Sequence, residues 1–581
     1  MLLTPMDLGL GVIDWAVVAL YFIAIFVVAG WATYRERQGK ETSADYFLAG
    51  RNVGWFVVGA SLFASNIGSE HLIGLAGTGA ASGIAVGQFE VMASLILLLL
   101  GWVFVPFYVK SGVYTMPEFL ERRYSPAARW YLATISIIGY ILTKISVTIF
   151  AGAIVFETIG VPFWTGAFIV VIVTGVYTIL GGLRAVLYTD LLQMFVLIGG
   201  AVAVTSIGLV QIGGWSGLQG TVEPTFFSMW RPMSDPEFPW TGILFGAPIL
   251  GIWYWCTDQF IVQRTLSAKN VDNARRGTIF AGYLKLLPVF IFVLPGMIAY
   301  GMVEQGLLEL DMADQALPAL VSALLPVGLR GLVVAGLLAA LMSSLSSVFN
   351  SCSTMITWDV YKKMHPDASE RRLVWVGRVA TVVIVIFGLL WIPLMEYVSG
   401  QLYTYLQSVQ SYIAPPIAAV FLLGVFWSRI NAQGAITSLL FGFVVGTARL
   451  ILELYHAMGE VGLTEGTLVH WFATVNFLHF AIILFVACVA VLVGVSYLTP
   501  PPNRRQIAGL TFETADEPMA TDEMHAVADE EPQPTDEPAP TAPETVTVTA
   551  VETASASWKR LDLWLSVGVI LLVLLTWWFF S

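Results

Sequence analysis

The sequence predicts an all-α polytopic membrane protein with about fourteen transmembrane helices, and three observations carry this prediction. Of 581 residues, 57% are hydrophobic and only 12% charged, whereas a soluble domain carries roughly 25% charged residues. Apolar runs long enough to cross a bilayer core, about 20 residues each, recur along almost the whole chain. Lys and Arg collect in alternate connections between those runs, as they do when one side of a membrane retains them.

The runs span approximately 13–33, 53–77, 80–109, 127–157, 162–181, 185–212, 241–260, 276–302, 327–360, 373–397, 401–427, 432–454, 475–498 and 561–580. Helices are the expected form, because lipid offers the backbone no hydrogen bonds and barrel strands need only about ten residues. The first run is too long for the apolar centre of a cleavable leader. With the N-terminus outside, inner connections hold 23 of the 28 Lys and Arg residues. They include Arg122, Arg123, Arg129, Arg184, Arg264, Arg275 and Arg276, while Arg231, Arg330 and Arg449 fall near the outer side. Both termini are therefore expected outside a cell membrane.

The formal net charge of −12 is local. Between Gln506 and Trp558 lie 12 acidic residues and no Lys or Arg; setting those 12 aside leaves 28 acidic against 28 basic. Nothing resembles a basic patch for nucleic acid. The stretch 500–557, rich in Pro, Thr, Ala and acids, is expected to be a disordered cytoplasmic loop before the last helix (558–581). Cys256, Cys352 and Cys488 lie in apolar runs, without the spacing of a disulfide framework or metal cluster.

Ionisable residues inside a bilayer are costly and mark sites or pairs. Here they are Glu70, His71, Glu90, Lys144, Asp190, Asp258 and Lys285. Uncharged polar residues join them: Ser65 and Asn66, the run Ser343, Ser344, Ser346 and Ser347, and Gln407 with Gln410. Taken singly, each reads as a packing contact between helices; taken together, they suggest a polar cavity at mid-depth. The stretch from Ser61 to His71 places small and polar residues in mid-crossing, where a helix that unwinds frees carbonyl oxygens for a desolvated cation. Carbonyls of Ala64, Ile67 and Ala340 with hydroxyls of Ser343 and Ser344 would suit Na⁺. Small serines would equally allow close helix packing.

At these residues the chain resembles the sodium/solute symporter family. Phe47-Leu-Ala-Gly-Arg51 and Gly59-Ala-Ser-Leu-Phe-Ala-Ser-Asn-Ile-Gly68 carry the likeness. Gly74 to Gly83, Trp253-Tyr-Trp-Cys-Thr-Asp-Gln259, Ile261-Val-Gln-Arg264, Gly282-Tyr-Leu-Lys-Leu286, Leu341-Met-Ser-Ser-Leu345 and Pro415 to Leu423 narrow it to the sodium/glucose cotransporter branch. The likeness runs from about 13 to 498 and resumes at the last helix. It implies a LeuT-like core of two inverted five-helix repeats, here 53–212 and 241–427. The first helix and inner loop (1–52) precede them, an outer loop (213–240) joins them, and two further helices (428–499) follow. The first helix of each repeat is implied to be broken, the second break falling in the Gly-Ile-Trp-Tyr-Trp stretch after Ile249.

The resemblance also implies the site. A sugar would contact Asn66, His71, Glu90, Tyr254, Trp255, Lys285 and Gln407. Leu75, Phe89 and Tyr403 would form an outer lid and Tyr254 an inner gate. Na⁺ would occupy a first site at Ala64, Ile67, Ala340, Ser343 and Ser344. A second site at Asp190, Ser343, Ser346 and Ser347 would make the ratio two Na⁺ per solute; otherwise Asp190 would only pair with an inner-side group such as Arg184. Gly251 stands where relatives often carry Thr or Asn, Thr404 replaces an acidic residue of some glucose carriers, and Glu70 is similar to myo-inositol carriers. Glucose, galactose and myo-inositol thus all stay open. No nucleophile–base set, phosphate loop or metal-ligand spacing suggests an enzyme; a sodium-gated sensor on the same scaffold is the rival reading.

Overall fold

The computed structural model describes residues 10–36, 47–68, 70–158, 161–310, 313–395, 402–457, 466–518 and 548–581. It is helical throughout, with no sheet among the described residues and only isolated bridges such as Val53 to Ala268. Ten of the described helices are long and apolar enough to cross a membrane.

The first broken helix runs Trp55–Asn66 and stops where Ile67 turns extended (φ −75°, ψ 99°). Helix resumes as a π-helical turn, Glu70–Leu75, and continues through Ala76–Ser82. The run Ala-Ser-Asn-Ile-Gly has little helix propensity, and packing enforces the stop. A Cβ on Gly68 would lie 2.7 Å from Ser344 Oγ, so the serine helix, Leu329–Met355, presses directly on the break. A second close approach holds the other end. A Cβ on Gly59 would lie 2.7 Å from the Gly277 carbonyl, which lets Trp55–Asn66 meet Val271–Leu284 backbone to backbone.

The second broken helix differs from expectation. It begins at Trp240, passes through Ala247–Gly251 and a π-helical turn Ile252–Thr257, and breaks only at Asp258 (φ −76°, ψ 125°). The Gly-Ile-Trp-Tyr-Trp stretch stays helical because Ile252 and Trp255 are buried in the core on a continuous turn. Asp258 ends the turn by capping the next helix, Gln259–Leu266, accepting from the Phe260 amide at 3.2 Å.

The runs at 162–181 and 185–212 join into one hydrogen-bonded segment, Phe163–Gln211. Val170 borders Gly152 beside Leu341, and Asp190 accepts from Ser343, so both halves of the segment lie near the serine helix.

Other expectations also change. The predicted loop over 500–557 is folded where it is described near its start. Asn503 caps Arg504–Ile507, Thr511 and Thr514 form a reciprocal cap, and Ile507 and Leu510 are buried. Phe512 packs on Phe107 and Phe426 with centroids 5.1 and 4.9 Å away. The last helix starts at Val548 rather than near 558; residues 519–547 lie outside the described part. This helix is fastened to the bundle by Arg276 to Asp562 (2.7 Å) and Trp577 to Gln88 (2.7 Å). Several of the basic residues placed in inner loops are buried instead: Arg123, Arg129, Arg264 and Arg275. Arg123 donates to the carbonyls of Gly424 and Trp427, satisfying the end of the helix Leu402–Phe426.

Candidate solute and sodium sites

Between the two breaks lies a cavity of about 540 Å³, counting space continuous with solvent. Asn66, Glu70 and His71 enter from the first broken helix, Phe89 and Glu90 from Gln88–Leu99. Gly251, Tyr254 and Trp255 enter from the second, Lys285 from the end of Val271–Leu284, and Gln407 and Gln410 from Leu402–Phe426. All seven residues named as sugar contacts line this one space. Leu75 does not: it is wholly buried in the core. Phe89 lines the cavity and meets Phe238 at 6.1 Å and Phe477 at 6.5 Å. Tyr403 belongs to a helix, but its side chain lies outside the described part.

A continuous polar network crosses the cavity. The Lys285 ammonium donates to Glu90, to Asn66 Oδ1 at 2.5 Å, and approaches His71 Nε2 at 3.3 Å. Asn66 Nδ2 donates to the Tyr254 hydroxyl at 2.9 Å, and His71 Nε2 stands 3.1 Å from Glu90. The charge of Lys285 holds Glu90 and Asn66 in place, while His71 Nε2 either accepts from Lys285 or donates to Glu90, according to its tautomer. The buried His71 Nδ1 lacks a protein partner. Lys285 also lies 5.3 Å from the Trp255 ring centroid, a cation–π contact that keeps the indole against the cavity.

Below Asn66, the first break and the serine helix meet. Ser344 Oγ donates to the Ser65 carbonyl at 2.9 Å and lies 3.4 Å from the Ile67 carbonyl. Ala64, Ile67 and Ala340 are buried around it. The carbonyl of Ile67 and the hydroxyl of Ser344 therefore sit together as hard, neutral oxygen donors, the type a small alkali cation takes in place of water. Ser343 turns instead to Asp190, at 2.6 Å. Asp190 is fully buried and also accepts from Ser61 at 2.5 Å and Ser65 at 2.8 Å. Ser347 donates to Ser65 Oγ at 2.9 Å, whereas Ser346 is spent on its own helix, on the Ser343 carbonyl. The side chain of Arg184 lies outside the described part; the hydroxyls of Ser61, Ser65 and Ser343 donate to Asp190.

Sequence reasoning missed three things. It did not pair Lys144 with Asp258, which stand 3.0 Å apart although 114 positions separate them. It did not see that Ser61 and Ser65 complete the Asp190 cluster. It also assigned Arg264 to an inner loop, whereas Arg264 Nε donates to Ser65 Oγ at 2.9 Å in the protein interior. Balancing the intramembrane charges would have pointed to the first pair.

Two broken helices that enclose a polar cavity at the centre of a helical membrane bundle define a secondary transporter. The chain belongs to the sodium:solute symporter family, which it matches over residues 46–442. It is 42% identical to the sodium/glucose cotransporter 4 of Mus musculus, covering 88% of this chain and 79% of that one. It is 41% identical to the sodium/glucose cotransporter 1 of Ovis aries (84% and 79% covered). It is likewise 42% identical to the sodium/myo-inositol cotransporter of Mus musculus (86% and 75%). Among solved structures, a Na⁺-coupled sialic acid symporter in a substrate-bound outward-open state shares the fold with a TM-score of 0.72 at 23% identity, covering 85% of this chain and 99% of that one. The nucleobase-cation-symport-1 transporter Mhp1 shares it at 0.52 and 13% identity, covering 79% and 96%. The protein is a LeuT-fold, Na⁺-coupled symporter.

Proposed function

We propose that this symporter imports a hexose of the glucose or galactose type across a cell membrane, both termini lying outside, with two Na⁺ per solute. The observation that carries the reading is the cavity itself. Seven residues implied by the sugar-carrying branch, drawn from five helical segments, converge on one space, and five of them, Asn66, His71, Glu90, Tyr254 and Lys285, are tied by hydrogen bonds. The names of the similar proteins support a sugar or polyol as cargo.

The chemistry suits a ring of hydroxyls. Glu90 is held by Lys285 with lone pairs to spare, so it accepts from solute hydroxyls. His71 and Gln407 line the same space and complete the polar ring. Tyr254 and Trp255 offer aromatic faces to the apolar face of a pyranose, and Phe89 closes the other side. Na⁺ at Ala64, Ile67, Ala340, Ser343 and Ser344 would brace the first break and so set Asn66, the next residue but one from Ala64. Solute binding would then favour rocking of the repeats 53–212 and 241–427 about the fixed site. Each Na⁺ moving inward contributes about 2.3 kcal/mol per 100 mV, so two ions support steeper accumulation than one.

A polyol is the second reading, favoured by Glu70, whose carboxylate also lines the cavity and adds an acceptor for a pair of adjacent hydroxyls. Uptake of radiolabelled glucose, galactose and myo-inositol into proteoliposomes tests both. Na⁺-dependent accumulation above equilibrium, lost in Gln407→Ala and Ser343→Ala, is expected for the solute carried. Na⁺ binding without uptake of any of the three would sink the sugar and polyol assignments and leave the sensor reading.

A further inference from the structure

Arg264 is a fully buried guanidinium that neither the solute cavity nor the first sodium site uses. It lies on Gln259–Leu266, just past the second break, and reaches back to the first. Its Nε donates to Ser65 Oγ at 2.9 Å, and Ser65 Oγ in turn donates to Asp190 Oδ2 at 2.8 Å. A second nitrogen is held by the Phe260 carbonyl, and Nη2 has no partner in the protein. Arg264 and Asp190 thus face each other across one hydroxyl, close enough to attract. Lys144 and Asp258 nearby pair with each other at 3.0 Å, and Glu70 borders the same region beside Lys144. The Arg264 guanidinium therefore balances Asp190 itself, and a cation placed on Asp190 would meet that positive charge across the Ser65 hydroxyl in a region of low dielectric, where like charges repel strongly.

We propose that Arg264 is a positioning residue for ion coupling: it is the built-in counter-ion of Asp190, standing in for the second Na⁺ when that site is empty and weakening its hold when filled. This rests on the reading of Asp190 as part of a second sodium site. An ion held by an uncompensated buried carboxylate would be slow to leave; an ion competing with Arg264 is released readily, and Ser65 passes back to the guanidinium. Because Ser65 immediately precedes Asn66, the exchange takes place one peptide from the solute.

The test is Na⁺ binding without solute, followed by thermal stability of the purified full chain in Na⁺ against choline, and by the Na⁺ dependence and Na⁺-to-solute ratio of uptake. Arg264→Gln is expected to lower the half-saturating Na⁺ roughly tenfold, to enlarge the stabilisation by Na⁺ over choline, and to slow turnover at saturating Na⁺. Arg264→Lys, which keeps the charge, is expected to return towards the parent in all three. An unchanged or raised half-saturating Na⁺ in a folded Arg264→Gln variant would overturn the proposal. If that variant does not fold, the double variant Asp190→Asn/Arg264→Gln decides: recovery of the fold supports mutual compensation, and continued failure overturns it. The parent's own ratio tests the two-ion reading separately, since the proposal concerns the difference that the guanidinium makes.

Discussion

The two breaks differ in how they satisfy their own loose ends. At Ile67 the opened backbone meets neutral groups, the hydroxyl of Ser344 and the bare edge of Gly68. At Asp258 the protein closes the gap itself. The aspartate caps the following helix and pairs with Lys144, whose ammonium lies 4.3 Å from the centroid of Tyr254 and 4.1 Å from that of Phe260. One break leaves its carbonyls to a serine hydroxyl; the other is closed by an ion pair. On the proposed function the first responds to Na⁺, while the second serves as a fixed hinge.

That contrast breaks most visibly at the hinge. Lys144→Met or Asp258→Asn leaves one buried partner uncompensated and is expected to cost about 3–5 kcal/mol of stability, seen as a large fall in melting temperature in both Na⁺ and choline. Lys144→Met combined with Asp258→Leu should cost much less than either alone, because no orphan charge remains. Equal, additive losses would mean that the pair is not the hinge's fastening.

Next in size are changes at the network between the breaks. Glu90→Gln or Lys285→Met truncates a desolvated charge pair, an effect of about 2–5 kcal/mol, or at least roughly thirtyfold in half-saturating solute. Na⁺ binding without solute should barely move, because neither side chain touches the Ile67 break. Ser344→Ala should do the reverse. Losing one hydroxyl at the first break, about 1–2 kcal/mol, raises half-saturating Na⁺ about tenfold and leaves the solute constant at saturating Na⁺ nearly unchanged.

Composition made the membrane class legible, and the Ala-Ser-Asn-Ile-Gly run made the first break legible, because both are local properties. The second break was misplaced because its cause is not local. Gly251 invites a break, yet Ile252 and Trp255 are held helical by burial, and the chain opens at an aspartate whose lysine partner is distant in sequence. The same error moved Arg264 to a loop: with the apolar run ending near 260, nothing in the sequence says that the helix resumes inside the protein. Residues 500–518 read as disordered by composition, yet few contacts suffice to order them. Phe512 enters an aromatic gap between Phe107 and Phe426, and Gln506 donates to the Tyr124 carbonyl at 2.8 Å. For the cavity, the family likeness named the residues, but only the fold shows that Lys285 spends its donors on Glu90 and Asn66.

The finest test of the contrast removes one oxygen atom. Tyr254 belongs to the second break, but its hydroxyl serves the first by accepting from Asn66 Nδ2 at 2.9 Å. Tyr254→Phe keeps the ring against Lys144, so the hinge should hold and melting temperature should change little. Asn66 loses one neutral hydrogen bond, worth about 0.5–1.5 kcal/mol, and is then held by Lys285 alone. Half-saturating solute should then rise about fivefold, with the Na⁺ dependence of binding intact. If stability fell instead and solute affinity held, Tyr254 would belong to the hinge alone, and communication between the breaks would have to run through Lys285.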